Sequence, residues 1–229
     1  MAADTAPPDR CPTVLFDLDG TLTDPAEGIT RCLAYALERL GNAVPPSEEL
    51  RACIGPPLQA SFPRLLGSDD PELTRQAVTL YRERFAAVGM YENAVYPGIP
   101  EVLTAVRAGG GRLFVATSKP AVYAEKILRH FDLPAFFDGV YGSELTGERS
   151  DKAELIAYLL EQEALTAAGC VMVGDRRHDV DGARRNGLFP VGVLWGYGSR
   201  EELETAGAKL LCAHPGELPG VLLGRAGPR

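Results

Sequence analysis

The sequence predicts an α/β fold, a parallel sheet with helices on both faces, interrupted after its first strand by a small all-helical insert. Three observations carry this expectation. From residue 96 onward, short apolar runs alternate with helix-length amphipathic stretches, the rhythm of βαβ units. The block before it, roughly 24–94, has helical periodicity and no convincing strand. Ahead of that block stands Val14-Leu15-Phe16, which reads as a buried strand.

Taken in order, the first strand runs into Asp17-Leu18-Asp19-Gly20-Thr21-Leu22. Ile29, Leu33, Ala36, Leu37 and Leu40 then recur at helical spacing, and Gly41 stands where a helix would stop. Helix-like stretches follow at about 47–54, 57–67 and 71–88, separated by Gly, Pro, Ser and Asp. Tyr96-Pro97-Gly98 marks the change of rhythm. Beyond it, Leu113-Phe114-Val115-Ala116, Gly139-Val140-Tyr141, Val171-Met172-Val173 and Val191-Gly192-Val193-Leu194 read as strands. They alternate with helices near 99–108, 121–131, 151–163 and 178–186. The expected division is a Rossmann-like core of residues 13–23 and 95–229 around a helical insert of 24–94. Residues 1–12, rich in Pro and Asp, and the tail 224–229 read as mobile.

Composition bounds the function. With 229 residues, 45% hydrophobic and 24% charged, the chain is globular in character and long enough to bury a sizeable core. A formal net charge of −8 argues against a broad surface for polymeric nucleic acid or an anionic membrane. It leaves room for a small phosphorylated ligand in a local basic pocket. Five scattered cysteines without a CxxC pair suit reduced thiols in a cytoplasm. The first residues have neither a basic start nor an apolar core, so they do not read as a secretory signal, and no apolar run reaches membrane-spanning length.

Alternate side chains of a strand share a face, so Asp17 and Asp19 point the same way while Leu18 turns to the other side. Two carboxylates so placed repel, and a hard cation such as Mg2+ would relieve them. A Ca2+ loop does not fit, because Leu22 stands where that loop needs glycine. In open parallel sheets the ligand site lies at the carboxyl ends of the strands, and polar residues do gather there. Thr117-Ser118-Lys119 ends the second core strand, and Gly174-Asp175, with Asp179 beyond, ends the strand at Val171-Met172-Val173.

Lys152 falls in the first turn of a helix marked by Asp151 and Glu154, where a cation opposes the helix dipole. A carboxylate such as Asp17, or a phosphate, would compensate it; a solvated surface lysine is the plain alternative. Thr117 and Ser118 would either hold a phosphate oxygen at a strand-to-helix turn or cap a helix before Pro120. Asp175 is placed as a second metal carboxylate, and Asp179 either caps a helix or orients metal-bound water. Gly196-Tyr197-Gly198 and Gly109-Gly110-Gly111 read as turns, and Trp195 and Tyr197 either pack or stack on a ligand ring.

Phe16-Asp17-Leu18-Asp19-Gly20-Thr21-Leu22, Ala116-Thr117-Ser118-Lys119-Pro120, Lys152, and Val173-Gly174-Asp175 with Asp179 resemble, in order, the four motifs of the haloacid dehalogenase (HAD) superfamily. The insert resembles the C1 cap of its phosphoglycolate phosphatase-like branch. Ile54-Gly55-Pro56-Pro57-Leu58, Ser150-Asp151-Lys152-Ala153-Glu154-Leu155-Ile156 and Val193-Leu194-Trp195-Gly196-Tyr197-Gly198 are similar to the HAD-type 5′-nucleotidases. The namesake dehalogenases lack the second aspartate of the first motif and use no metal; Asp19 is present here, which favours phosphoryl transfer.

What this resemblance implies is a Mg2+-dependent phosphatase acting on small phosphate monoesters, either a 5′-nucleotidase or a phosphoglycolate phosphatase. Asp17 is the implied nucleophile and Asp19 the general acid and base. The implied metal set is Asp17, the Asp19 backbone carbonyl and Asp175, with Asp179 acting through water. Thr117, Ser118 and Lys152 are the implied phosphate-binding residues, and the insert is the implied lid, with Arg51, Gln59 and Arg64 as possible substrate contacts. The expected partner is a small phosphorylated metabolite, with no nucleic acid polymer and no membrane, and the expected state is a monomer or weak homodimer. A phosphomutase, a phosphotyrosine phosphatase and a non-catalytic module on the same fold are the alternatives.

Overall fold

The computed structural model describes residues 13–224, so the segments read as mobile at 1–12 and after Gly224, and Cys11, lie outside the described residues. In chain order the first half comprises β1 (Thr13–Phe16), β2 (Thr23–Asp24), α1 (Ala26–Arg39), α2 (Ser47–Arg51), α3 (Leu58–Leu66), α4 (Pro71–Ala87) and β3 (Ala94–Val95). The second half comprises α5 (Ile99–Ala108), β4 (Arg112–Pro120), α6 (Ala121–His130), β5 (Gly139–Ser143), α7 (Lys152–Gln162) and β6 (Cys170–Gly174). It continues through α8 (Arg177–Arg185), β7 (Phe189–Val193), α9 (Arg200–Ala206), β8 (Leu210–Cys212) and α10 (Leu218–Leu222). Two units result, one formed by the stretch up to Leu22 with that from Val95 onward, the other by Thr23–Ala94.

The first unit is built on a six-stranded parallel sheet in the order β5-β4-β1-β6-β7-β8. Val14, Leu15 and Phe16 of β1 are all fully buried, because helices cover both faces; after Thr13 the strand is therefore continuously apolar rather than alternating. On one face Leu15, Phe114, Ala116 and Met172 pack against Ile156 and Leu159 of α7 and Ala183 of α8. Each of the larger side chains, Leu15, Phe114, Met172, Ile156 and Leu159, is worth about 1.5–3 kcal/mol of burial. Strand β1 runs between β4 and β6, so the strand order reverses beside it. The carboxyl end of β1 is thus the switch point at which open α/β sheets bind ligands.

The unit Thr23–Ala94 is helical, with α1 packed on α4. Its interior holds Phe62, Tyr81 and Phe85, with Tyr81 stacked on Phe85 at 5.5 Å between ring centres and edge-on to Phe62 at 6.4 Å. Arg84 donates to both carboxylate oxygens of Glu92, at 2.7 and 3.0 Å, and Arg31 adds a third bond at 2.7 Å. These partners, Arg84 above all, hold the Glu92 carboxyl below its ordinary range.

The strands read from sequence are present, with differences at their ends and edges. Strand β4 continues past Ala116 to Pro120, and β5 continues to Ser143. The edge strand β8, helices α9 and α10, and the two-residue pair β2 with β3 have no counterpart in the sequence reading. They are too short for a period to show. Among the described residues no helix is long and apolar enough to cross a membrane, and the four described cysteines, Cys32, Cys53, Cys170 and Cys212, are buried and unbridged.

Candidate active site

The chain turns sharply where β1 ends. The Asp17 N–H donates to the Val173 carbonyl at 2.9 Å, so Asp17 stays in register with β6 for one residue beyond the strand. Asp175 follows β6 directly, and Asp179 sits in the first turn of α8. Each of these three buried aspartates offers an oxygen within 4.8 Å of the others. Lys152, first residue of α7, reaches into the group: its Nζ lies 2.8 Å from Asp17 Oδ1 and 2.8 Å from Asp179 Oδ1, and donates to the Ala116 carbonyl at 2.8 Å. The helix that carries it is capped by Asp151 Oδ1, which accepts from the Ala153 and Glu154 N–H groups at 2.9 and 3.1 Å.

Of the two compensations weighed for Lys152, the structure supplies the carboxylate, and supplies two of them. Burial alone would lower the Lys152 pKa, but Asp17 and Asp179 outweigh it and hold the ammonium above its ordinary range. Asp179 also accepts from the Arg176 N–H at 3.1 Å, so it caps α8 while standing among the acids. Burial raises the Asp179 carboxyl, with Lys152 opposing.

Asp175 is the least compensated member. Its Oδ2 accepts the Tyr197 N–H at 2.8 Å, while Oδ1 is buried without a hydrogen-bond partner. Burial, then Asp179 and Asp17, push its carboxyl well above the usual range. Gly198 lets the following loop close on it, since a Cβ there would lie 1.9 Å from the Asp175 carbonyl oxygen. The sequence Gly196-Tyr197-Gly198 is thus a close-approach segment rather than a plain turn.

Asp19 stands apart from the trio. Its Oδ2 pairs with Lys119 Nζ at 2.7 Å, with both side chains nearly buried, and its Oδ1 has no hydrogen-bond partner. Burial raises the Asp19 carboxyl, Lys119 opposes, and Asp17 adds to the rise. Counted as fully ionised, four carboxylates meet two ammonium groups, a formal excess of two negative charges that one divalent cation would balance. Hard oxygen donors and an orphaned Asp175 oxygen fit Mg2+.

Thr117 and Ser118 lie on the last residues of β4 rather than in a turn after it. Thr117 is buried and follows Ala116, whose carbonyl Lys152 engages. Its Oγ1 accepts from the Lys119 N–H at 3.2 Å, and the Ser118 carbonyl accepts from Ser143 Oγ at 2.8 Å. In sequence Lys119 is marked only as a cation at the end of a buried strand, a different signal from the first-helical-turn position that marks Lys152. Trp195 donates its indole N–H to the Thr21 carbonyl at 3.0 Å, tying the loop after β7 to the loop after β1. Trp195→Phe is expected to cost about 1 kcal/mol, read as a drop in denaturation midpoint with unchanged m-value.

The family model of haloacid dehalogenase-like hydrolases matches residues 14–193. A 5′-nucleotidase of Pseudomonas aeruginosa is 50% identical over 213 residues, 93% of this chain and 96% of that protein. The tyrosine-protein kinase PtkA of Mycobacterium tuberculosis is 39% identical over 191 residues, 83% of this chain and 65% of the kinase. Among solved structures, one described as a predicted phosphatase from Clostridium acetobutylicum superposes with a TM-score of 0.89 at 43% identity, covering 93% of this chain and 98% of its own. This chain belongs to the haloacid dehalogenase-like hydrolase family, as a phosphoric monoester hydrolase.

Proposed function

We propose that the protein hydrolyses small phosphate monoesters through an aspartyl-phosphate on Asp17, with nucleoside 5′-monophosphates as its preferred substrates. The observation that carries the chemistry is the Asp17 carboxylate at the sheet's switch point, held through one oxygen by a buried lysine at 2.8 Å. The nucleotide preference rests on the likeness to the Pseudomonas aeruginosa 5′-nucleotidase, which extends over nearly the whole of both chains.

In the first half-reaction Asp17 attacks phosphorus as the bond to the leaving alkoxide breaks, and Asp19 gives that oxygen a proton. In the second, Asp19 takes a proton from water as water displaces Asp17 from phosphorus. Lys152, Thr117 and Ser118 hold the non-bridging oxygens, stabilising charge without bonding to phosphorus. Asp17, Asp175 and the Asp19 carbonyl, with Asp179 beside them, would hold Mg2+, which supplies neutralising charge between an anionic nucleophile and an anionic substrate.

The test is phosphate release with Mg2+ from nucleoside 5′-monophosphates, 2-phosphoglycolate, sugar phosphates and phosphotyrosine. Release is expected to be fastest from the nucleotides, to stop with EDTA and to return with added Mg2+. A rate indifferent to chelator contradicts the metal site, and no release from any ester overturns the reading. The PtkA likeness favours a second reading, exchange of phosphoryl with tyrosine. Preference for phosphotyrosine would select it, and preference for 2-phosphoglycolate would move the substrate assignment instead.

A further inference from the structure

Lys119 occupies an irregular stretch of β4 that the fold goes to some length to fix. The β4–β5 ladder is regular through Thr117 opposite Gly142, then shifts so that Pro120 stands opposite Ser143, leaving Ser118 and Lys119 as an insertion in one strand. Such bulges re-aim side chains, often beside active sites. Three contacts pin this one. The Lys119 N–H donates to Thr117 Oγ1 at 3.2 Å, the Ser118 carbonyl accepts from Ser143 Oγ at 2.8 Å, and Gly142 lies so close that a Cβ there would stand 2.5 Å from the Lys119 carbonyl oxygen. The re-aimed side chain is 7% exposed and ends 2.7 Å from Asp19 Oδ2.

Lys152 already serves Asp17 and Asp179, so the two lysines divide the acids between them: one faces the nucleophile, the other Asp19. The pairing also makes the two Asp19 oxygens inequivalent. Oδ2 is committed to Lys119, and Oδ1, buried and without a hydrogen-bond partner, is the oxygen left for a proton and a leaving group.

We propose that Lys119 is the positioning residue for Asp19, holding Oδ2 so that Oδ1 delivers its proton to the departing oxygen. The proposal rests on the reading of Asp19 as acid and base. While the bond from Asp17 to phosphorus forms and the bond from phosphorus to the leaving oxygen breaks, the proton on Oδ1 passes to that oxygen and Asp19 is left as a carboxylate paired to Lys119. An alkoxide leaving group needs this proton. The phenolate of 4-nitrophenyl phosphate, a far weaker base, departs without it.

The experiment compares kcat/KM of the Mg2+-loaded enzyme on a nucleoside 5′-monophosphate and on 4-nitrophenyl phosphate, for the parent, Asp19→Asn and Lys119→Met. Lys119→Met is expected to lose about 10²-fold on the alkyl ester and less than about threefold on the aryl ester, as removal of a general acid requires. Equal losses on both esters would assign Lys119 to the phosphoryl group or to structure alone and overturn the proposal. If Asp19→Asn shows the selective loss and Lys119→Met does not, only the positioning role fails. If Asp19→Asn itself loses equally on both, the acid–base reading of Asp19 fails and the proposal falls with it. Should Lys119→Met not fold, Asp19→Asn/Lys119→Met relieves the unpaired carboxylate. Its rates should match those of Asp19→Asn alone, because residues acting as a unit are non-additive; a further loss overturns the proposal.

Discussion

Asp17→Asn is expected to lower phosphate release by about 10⁴-fold or more, since an amide oxygen does not form the covalent intermediate. The fold should survive. The amide is isosteric with the carboxylate, its oxygen can still accept from Lys152 Nζ, and Asp179 remains as a counter-ion 2.8 Å from that ammonium. Retained activity in a folded Asp17→Asn protein would remove the nucleophile from the proposed mechanism. Loss of activity together with loss of the thermal transition would show only that the Asp17–Lys152 pair is structural, so melting and activity must be read on the same preparation.

Asp175→Asn should have two opposite effects. In EDTA the variant is expected to melt higher than the parent, because the Asp175 carboxylate is buried beside Asp179 and Asp17 with one oxygen unpaired. An amide removes that charge and keeps an oxygen for the Tyr197 N–H. Relief of about 1–2 kcal/mol corresponds to a rise of roughly 2–8 °C for a chain of this size. With Mg2+ the order should reverse. The parent gains stability by mass action as the ion fills the acidic group, and the variant, missing a carboxylate, gains little and turns over no substrate. A variant that melts lower in EDTA yet responds to Mg2+ as the parent does would contradict the placement of the cation at Asp175.

Much of this site could be read without coordinates, and the reason is physical. Asp17 and Asp19 stand out because carboxylates that follow a buried apolar run must be compensated, and Lys152 stands out because a cation in a first helical turn is misplaced unless something else holds it. Both arguments are local. Lys119 was harder to recognise because its direction is set by a bulge, which depends on Gly142 and Ser143 of a neighbouring strand more than twenty positions away. The same holds for Tyr197 and Trp195: their ties to Asp175 and Thr21 join loops far apart in sequence, through a main-chain N–H in one case and an indole N–H in the other.

The sheet shows a similar division. Strands β1, β4, β6 and β7 declare themselves by continuous burial, whereas β8 has three residues at an edge and only Cys212 fully buried, too little to carry a pattern. Thr117 and Ser118 read as a turn because polar residues after an apolar run ordinarily end a strand. Here β4 runs on through them to Pro120. Their polarity falls at the carboxyl edge of the sheet, and the strand's end comes later.

The most direct measurement is a rapid acid quench of the Mg2+-loaded enzyme with a 32P-labelled nucleoside 5′-monophosphate, followed by peptide mapping of the labelled protein. The expected result is hydroxylamine-sensitive label on the peptide carrying Asp17, appearing before free phosphate and absent from Asp17→Asn. Steady turnover with no labelled protein at any time, or label on a different residue, would contradict hydrolysis through Asp17.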